Sequence, residues 1–160
     1  MSRPRKRAAA KDAAPFWQKP IAQLTPGEWE ALCDGCGKCC LTKLEYEETG
    51  EIEFTDVACR MLDPATCRCR DYPGRKAVVP ECIQLTPETI ASLDFMPPSC
   101  AYRLRAAGHP LPWWHYLISG DRETVHRAGY SARDRVVSET EVADDDALFD
   151  HIVDWPARLP

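Results

Sequence analysis

No stretch of this chain approaches the roughly 18 consecutive apolar residues that a membrane-spanning helix needs. Its basic start is followed by "AAAKDAAPFWQKP" rather than an apolar run, which argues against a secretory signal. There is no internal repeat of fixed period, no Gly-x-Ser-x-Gly nucleophile elbow, and no histidine at metal-ligand spacing from a cysteine. These absences set aside a membrane span, a solenoid and a serine hydrolase, and they predict a cytoplasmic protein whose thiols stay reduced.

A chain of 160 residues fits one domain and can bury a core without covalent staples. The apolar share of 44% and charged share of 28% are ordinary for a globular protein. Fourteen prolines predict short elements and much loop. Of the total charge of −5, residues 1–14 contribute +4 through Arg3, Arg5, Lys6, Arg7 and Lys11 against Asp12, leaving −9 on the body. An acidic body makes nucleic acid an unexpected partner. A protein partner is compatible with the sequence but unspecified by it. Residues 1–14 read as a disordered basic tail and residues 15–156 as one domain.

What the sequence has in excess is cysteine. Nine are present, all between positions 33 and 100. An odd number cannot close completely as internal disulfides, and in a reducing compartment the count points to metal. "CDGCGKCC" holds Cys33, Cys36, Cys39 and Cys40; then follow Cys59, Cys67, Cys69, Cys82 and Cys100. A C-x2-C turn lets two sulfurs face one point. Gly37 tolerates the left-handed backbone such a turn needs, and lets backbone N–H groups approach sulfur. Asp34-Gly35 is turn chemistry as well. C-x2-C-x2-C matches three ligands of bacterial ferredoxins, with a fourth from elsewhere. Adjacent side chains usually diverge, so Cys39 and Cys40 are expected to serve different centres. Eight thiols could make two four-thiolate sites with one to spare, in a pairing the sequence does not assign. The triplet and the surplus thiols favour an iron–sulfur cluster. Zinc remains the alternative cofactor, and Cys100, on a helix, has packed core cysteine as its competing reading.

The elements expected around this array are few. Thr25-Pro26-Gly27-Glu28 is a capped helix start, with Trp29 and Leu32 on one face. Leu41, Leu44 and Tyr46 lead into a hairpin turn at Thr49-Gly50, and Ile52 and Phe54 return, the strand ending near Asp56-Val57. Residues 59–85 read as loop that metal would order. Thr86-Pro87 should start a second helix with Ile90 and Leu93 inward, and Gly108 should stop a third. Residues around Trp113-Trp114-His115 look irregular, one tryptophan filling the core and the other shielding the cysteine loops. Short helical turns are expected in 120–129 and 144–156, and strand character in 130–142. His109, His115, His126 and His151 read as surface or packed residues. Arg60, Arg68, Arg70, Arg75 and Lys76 can either compensate thiolate charge or pair with the acidic body. The fold class is α+β: a small single domain with short helices, a β-hairpin and a loop-rich, metal-organised cysteine region.

"PFW", "EWEALCDGCGKCCL", "VACRMLD", "TCRCRDY", "VPECIQLT", "CAYRL" and "WWHYLISGD" together resemble the YcgN-type branch of the bacterial YkgJ-like cysteine-cluster family. The resemblance runs from about Pro15 to Trp155. It implies a zinc- or iron-chelating domain without an assigned reaction. It carries the ligand role to Cys33, Cys36, Cys39 and Cys40 first, and then to the later cysteines. Similar clusters in larger proteins linked to flagellin lysine methylation imply an iron–sulfur or redox role. The competing function classes are a zinc-organised interaction module without redox activity and a metalloenzyme with an open coordination position.

Overall fold

The computed structural model describes residues 13–155; most of the predicted basic tail lies outside them. The architecture is a small α+β domain. Its order is α1 (Pro26–Glu30), β1 (Leu41–Glu45), β2 (Ile52–Ala58), β3 (Leu62–Asp63), β4 (Arg68–Cys69), α2 (Arg75–Val78), α3 (Ala101–Ala106), α4 (Tyr116–Ser119), α5 (Thr124–Arg127) and β5 (Val137–Ser138), with short 3-10 turns between. No helix among the described residues is long and apolar enough to cross a membrane.

α1 starts as its sequence dictates. The Thr25 hydroxyl accepts from the Glu28 N–H at 3.2 Å, and the Glu28 carboxylate accepts from the Thr25 N–H at 2.9 Å. This reciprocal pair satisfies two of the donors that every helix start leaves open. Thr86-Pro87 repeats the entry but yields only a turn and a 3-10 segment, Ile90–Ser92. Thr89 stands there where α1 has Glu28. The reciprocal cap still forms, the Thr86 N–H donating to the Thr89 hydroxyl and the Thr89 N–H to the Thr86 hydroxyl, each at 3.3 Å, with the two hydroxyls 2.9 Å apart. Ile90 still turns inward and is buried, and Leu93 packs against the same core cluster.

The hairpin forms with Gly50 at φ 69°. β2 runs on to Ala58, past the end expected at Asp56-Val57, because it gains a second neighbour: Val57 and Ala58 pair in parallel with Val137 and Ser138 of β5. The sheet order is β1-β2-β5. Its register slips where β1 takes two steps, Leu41 to Lys43, while β2 takes four, Ala58 to Phe54. Such a bulge leaves ladder groups unpaired. Buried Thr55 fills the gap, its hydroxyl donating to the Thr42 carbonyl at 2.7 Å and accepting from the Val57 N–H at 3.2 Å. The Trp155 indole then donates to the Thr55 carbonyl at 3.1 Å and closes that side of the sheet. Without the slip, Val57 would lie across from Cys40; with it, Cys59 does, and its N–H donates to the Cys40 carbonyl at 2.9 Å.

Apolar side chains gather in three clusters rather than one. Trp29, Leu32, Ile90, Met96, Cys100 and Tyr102 form the first. Leu41, Ala58, Leu62, Cys67, Ala132 and Trp155 form the second. Cys36, Trp114 and Val125 form the third. Each includes a buried cysteine, so the cysteine region is where the small cores meet. Residues 59–85 are mostly loop as expected, broken by the β3–β4 pair and α2. The segment 113–119 is more regular than expected, since His115 caps α4.

Thr55→Val removes the group that satisfies the bulge and leaves a buried carbonyl and N–H open. It should lower unfolding stability by about 1–3 kcal/mol in urea titrations, more than Thr42→Val on the neighbouring strand.

Candidate metal centre

The cysteine loop is built from two successive tight turns. Gly35 (φ 79°) and Gly37 (φ 71°) are both left-handed, the conformation glycine adopts at least cost. Asp34, buried, accepts the Cys36 N–H on its carboxylate at 3.0 Å and sets the first turn. These turns aim backbone amides at sulfur: the Gly35 N–H faces the Cys33 thiol and the Lys38 N–H faces the Cys36 thiol, each favouring the thiolate. A Cβ on Gly37 would run into the Cys67 sulfur, so glycine is required there for space as well as for backbone.

A fourth thiol comes from 60 residues on. Cys100 occupies the cap position of α3. Two contacts bring it to the loop. The buried Lys38 ammonium donates to the Ser99 hydroxyl, and the Tyr102 hydroxyl donates to the Glu30 carbonyl at 3.3 Å while its ring meets Trp29 at 4.5 Å. α1 therefore delivers Cys33, and α3 delivers Cys100, to the same place.

These thiols feel one another's charge as well as their burial. Burial pushes Cys33 up to about 12, with Asp34, Cys39 and Cys100 adding to it. Burial likewise raises Cys36 well above the ordinary thiol range and Cys100 to about 12. Cys39 is raised by its contact with the Cys40 thiol and then by burial. Cys33 and Cys39 are exposed by accessible area, so solvent screening tempers the push on those two, while Cys36 and Cys100 are enclosed. Lys43 reaches in from β1, donating to the Cys39 carbonyl at 2.8 Å. Burial lowers its ammonium, and the thiols of Cys39, Cys40, Cys36 and Cys100 act against that. Among the described residues, no three Cys, His, Asp or Glu side chains stand as a finished metal cage.

Cys39 and Cys40 do not diverge as expected; their sulfurs lie 3.9 Å apart. A tetrahedron of sulfurs with metal bonds of about 2.3 Å has edges of about 3.8 Å, so the pair can share one centre or serve two that abut. Cys67 is buried in the second cluster, and its S–H donates to the Cys36 carbonyl at 3.2 Å. Cys59 and Cys82 are electrostatic neighbours on the far side of Cys40, and Cys69 sits in β4 opposite Leu62.

The histidines fall as the packed-or-surface reading has them. His115 has both nitrogens occupied: Nε2–H donates to the Leu32 carbonyl at 2.8 Å and Nδ1 accepts from the Leu117 N–H at 3.0 Å. His126 meets the Ser131 hydroxyl at 2.7 Å, His151 pairs with Asp56 at 2.7 Å, and His109 is exposed. The tryptophans divide differently from the expectation. Trp114 both fills the core and packs against Cys36, stacked on Tyr130 at 3.6 Å, while Trp113 is 54% exposed and meets Trp114 edge-on at 6.0 Å. The arginines divide between the two readings: Arg60 pairs with Glu139 at 2.9 Å and Arg75 covers the Tyr72 ring, while the Arg68 guanidinium lies against Gly35 in the cysteine loop. Lys38, Lys43 and Asp34 also stand beside the thiols.

Residues 32–101 match the family model described as "CxxCxxCC: Putative zinc- or iron-chelating domain". The UPF0260 protein of Rhodobacter capsulatus is 64% identical over 132 residues, which cover 82% of this chain and 89% of that one. The chain belongs to the UPF0260 family. The family member from Granulibacter bethesdensis is 55% identical over 93% of this chain and 89% of its own, and that from Allorhizobium ampelinum 57% over 91% of each. No solved structure matches the chain. The match to a chelating-domain model falls on the segment that holds all nine cysteines, and it supports metal binding there.

Two outcomes follow from this geometry. Gly37→Ala should cost about 1–2 kcal/mol for the left-handed backbone alone, plus the overlap with Cys67. Adding Cys67→Ala should return the second part but not the first, as read by urea unfolding. His115 is held below its ordinary value by burial. The unfolded histidine protonates near pH 6.5 while the folded one resists, so stability should fall as pH drops below about 6.5. His115→Gln should flatten that part of the pH–stability curve.

Proposed function

We propose that Cys33, Cys36, Cys39 and Cys100 hold an iron–sulfur cluster and that the protein serves as an electron carrier or redox accessory to a protein partner in the cytoplasm. What supports this reading is that three thiols of a C-x2-C-x2-C loop and a fourth at a distant helix start feel one another's charge, in the sequence order that ferredoxin-type clusters use. The donor set fits: soft thiolates select iron–sulfur or zinc over hard cations. The Trp114 indole N–H is buried beside Cys36 and has no hydrogen-bond partner among the described residues, a donor suited to a thiolate sulfur. Bound there, the cluster would supply one-electron chemistry.

This chain's own residues do the rest. Backbone amides of Gly35 and Lys38 favour thiolate at Cys33 and Cys36. Lys38 and Lys43 supply positive charge against an anionic centre. Cys33 and Cys39 are exposed, so a centre held by them would lie near the surface, as electron exchange with a partner requires. A groove of about 340 Å³ runs between Phe54, Pro97-Pro98 and Trp155 and reaches Lys38, but no cysteine lines it.

Zinc is the second reading, favoured by the 3.9 Å Cys39–Cys40 separation, which suits an edge of a thiolate tetrahedron. Protein purified without oxygen separates the two. Brown protein with broad visible absorption and iron supports the first; colourless protein with stoichiometric zinc contradicts it. Cys36→Ser and Cys39→Ser should each abolish the metal, and full metal in both variants would show the ligands to be elsewhere. Because the thiols must deprotonate to bind, uptake should release protons and weaken steeply on acidification, checked by calorimetry in buffers of different ionisation enthalpy. Lys43→Met should weaken binding several-fold, with the effect larger at low salt.

A further inference from the structure

Resting on that reading, the geometry points to a second thiolate centre, separate from the first and built from Cys40, Cys59, Cys69 and Cys82, with Cys67 as the one cysteine that binds no metal. Four observations carry it. The bulge in the sheet sets Cys59 across the ladder from Cys40, the Cys59 N–H donating to the Cys40 carbonyl at 2.9 Å. Directly opposed residues of an antiparallel pair point to one face with Cβ atoms about 4.5–5.5 Å apart, which places two thiols within reach of one ion.

Cys59 also repeats the turn of the first site. Its sulfur accepts the N–H of Met61, two residues on, at 3.4 Å, as the Cys33 and Cys36 sulfurs face the amides two residues beyond them. An amide aimed at sulfur favours thiolate and is the backbone device of a metal-binding turn.

The other two thiols come from the segments that fold back on this turn. The Cys59 carbonyl accepts from the Leu62 N–H at 2.9 Å, and Leu62 pairs with Cys69 across β3–β4. The Arg70 N–H donates to the Met61 carbonyl at 2.7 Å, fixing Cys69 one strand spacing from the turn. Arg60 reaches across to the Val78 carbonyl at 2.7 Å, and the Cys82 N–H donates to the Val79 carbonyl at 3.0 Å. Cys82 therefore returns to Cys59, whose thiol senses its charge.

Cys67 is excluded by its own contacts. Its S–H is spent on the Cys36 carbonyl, its sulfur packs on Gly37, and its neighbours are Leu41, Leu62, Ala132 and Trp155. It is a packing residue that fixes the first loop from behind. Cys40, Cys59, Cys69 and Cys82 share one half-buried surface class, unlike Cys67. The two centres abut at the Cys39–Cys40 peptide, where the sulfurs are 3.9 Å apart.

Anaerobic titration of the metal-free full chain with cobalt(II), followed by thiolate charge-transfer absorption, tests this. The unmutated chain and Cys67→Ala should saturate at two equivalents. Cys59→Ser with Cys82→Ser should saturate at one, as should Cys33→Ser with Cys36→Ser. Saturation of the unmutated chain at one equivalent, kept by the Cys59/Cys82 variant and lost by the Cys33/Cys36 variant, overturns the second centre and leaves the first standing. No uptake by the unmutated chain overturns both. A readout free of folding defects comes from N-ethylmaleimide labelling of the unmutated chain. Two equivalents of cobalt should protect Cys59, Cys69 and Cys82, and labelling of these three at the metal-free rate would overturn the proposal.

Discussion

A buried ammonium joins the two halves of the thiol region. Lys38 lies between Gly37 and Cys39, is almost wholly enclosed, and reaches Ser99, the residue before Cys100. Burying a lysine is costly unless negative or accepting groups surround it. Asp34, the Ser99 hydroxyl and the Tyr130 ring face this part of the loop, and the thiols of Cys36 and Cys39 flank it in sequence. A cation held in this place makes chemical sense beside thiolates, and it fixes which distant cysteine joins the loop.

The remainder of the fold is organised around that junction. Regular elements are short, and none of the three apolar clusters is large, yet each includes a cysteine from the same region. A filled structural zinc site contributes about 10–16 kcal/mol in small peptides, against a typical domain stability of about 5–15 kcal/mol. Metal bound by thiols of this region would therefore be comparable in weight to the rest of the fold.

What was legible in the sequence was local. The cap at Thr25, the turn at Gly50, the stop at Gly108 and the left-handed Gly37 each depend on a few adjacent residues, and each appears as read. The second Thr-Pro start misled because a cap alone does not make a helix: Thr86 and Thr89 cap each other, yet only a turn and a 3-10 segment follow. The end of β2 was hidden because β5 approaches from 80 residues away. The positions of Lys38 and Lys43 were hidden for a related reason: Lys38 reads as solvated until Ser99 meets its ammonium, and Lys43 on β1 until its ammonium lies over the Phe95 ring. Asp34 carried a readable signal, an acidic residue inside a metal-type turn, and its carboxylate does cap that turn. The position of Cys59 beside Cys40 was beyond reading from spacing, since it depends on a bulge that Thr55 stabilises from within the sheet.

X-ray absorption at the metal edge of the full chain, purified without oxygen, addresses the central claim most directly. The account predicts a first shell made of sulfur at about 2.3 Å, with no imidazole scattering, because His115 has both ring nitrogens committed to backbone groups. A first shell containing histidine nitrogen, or one dominated by oxygen, would contradict it.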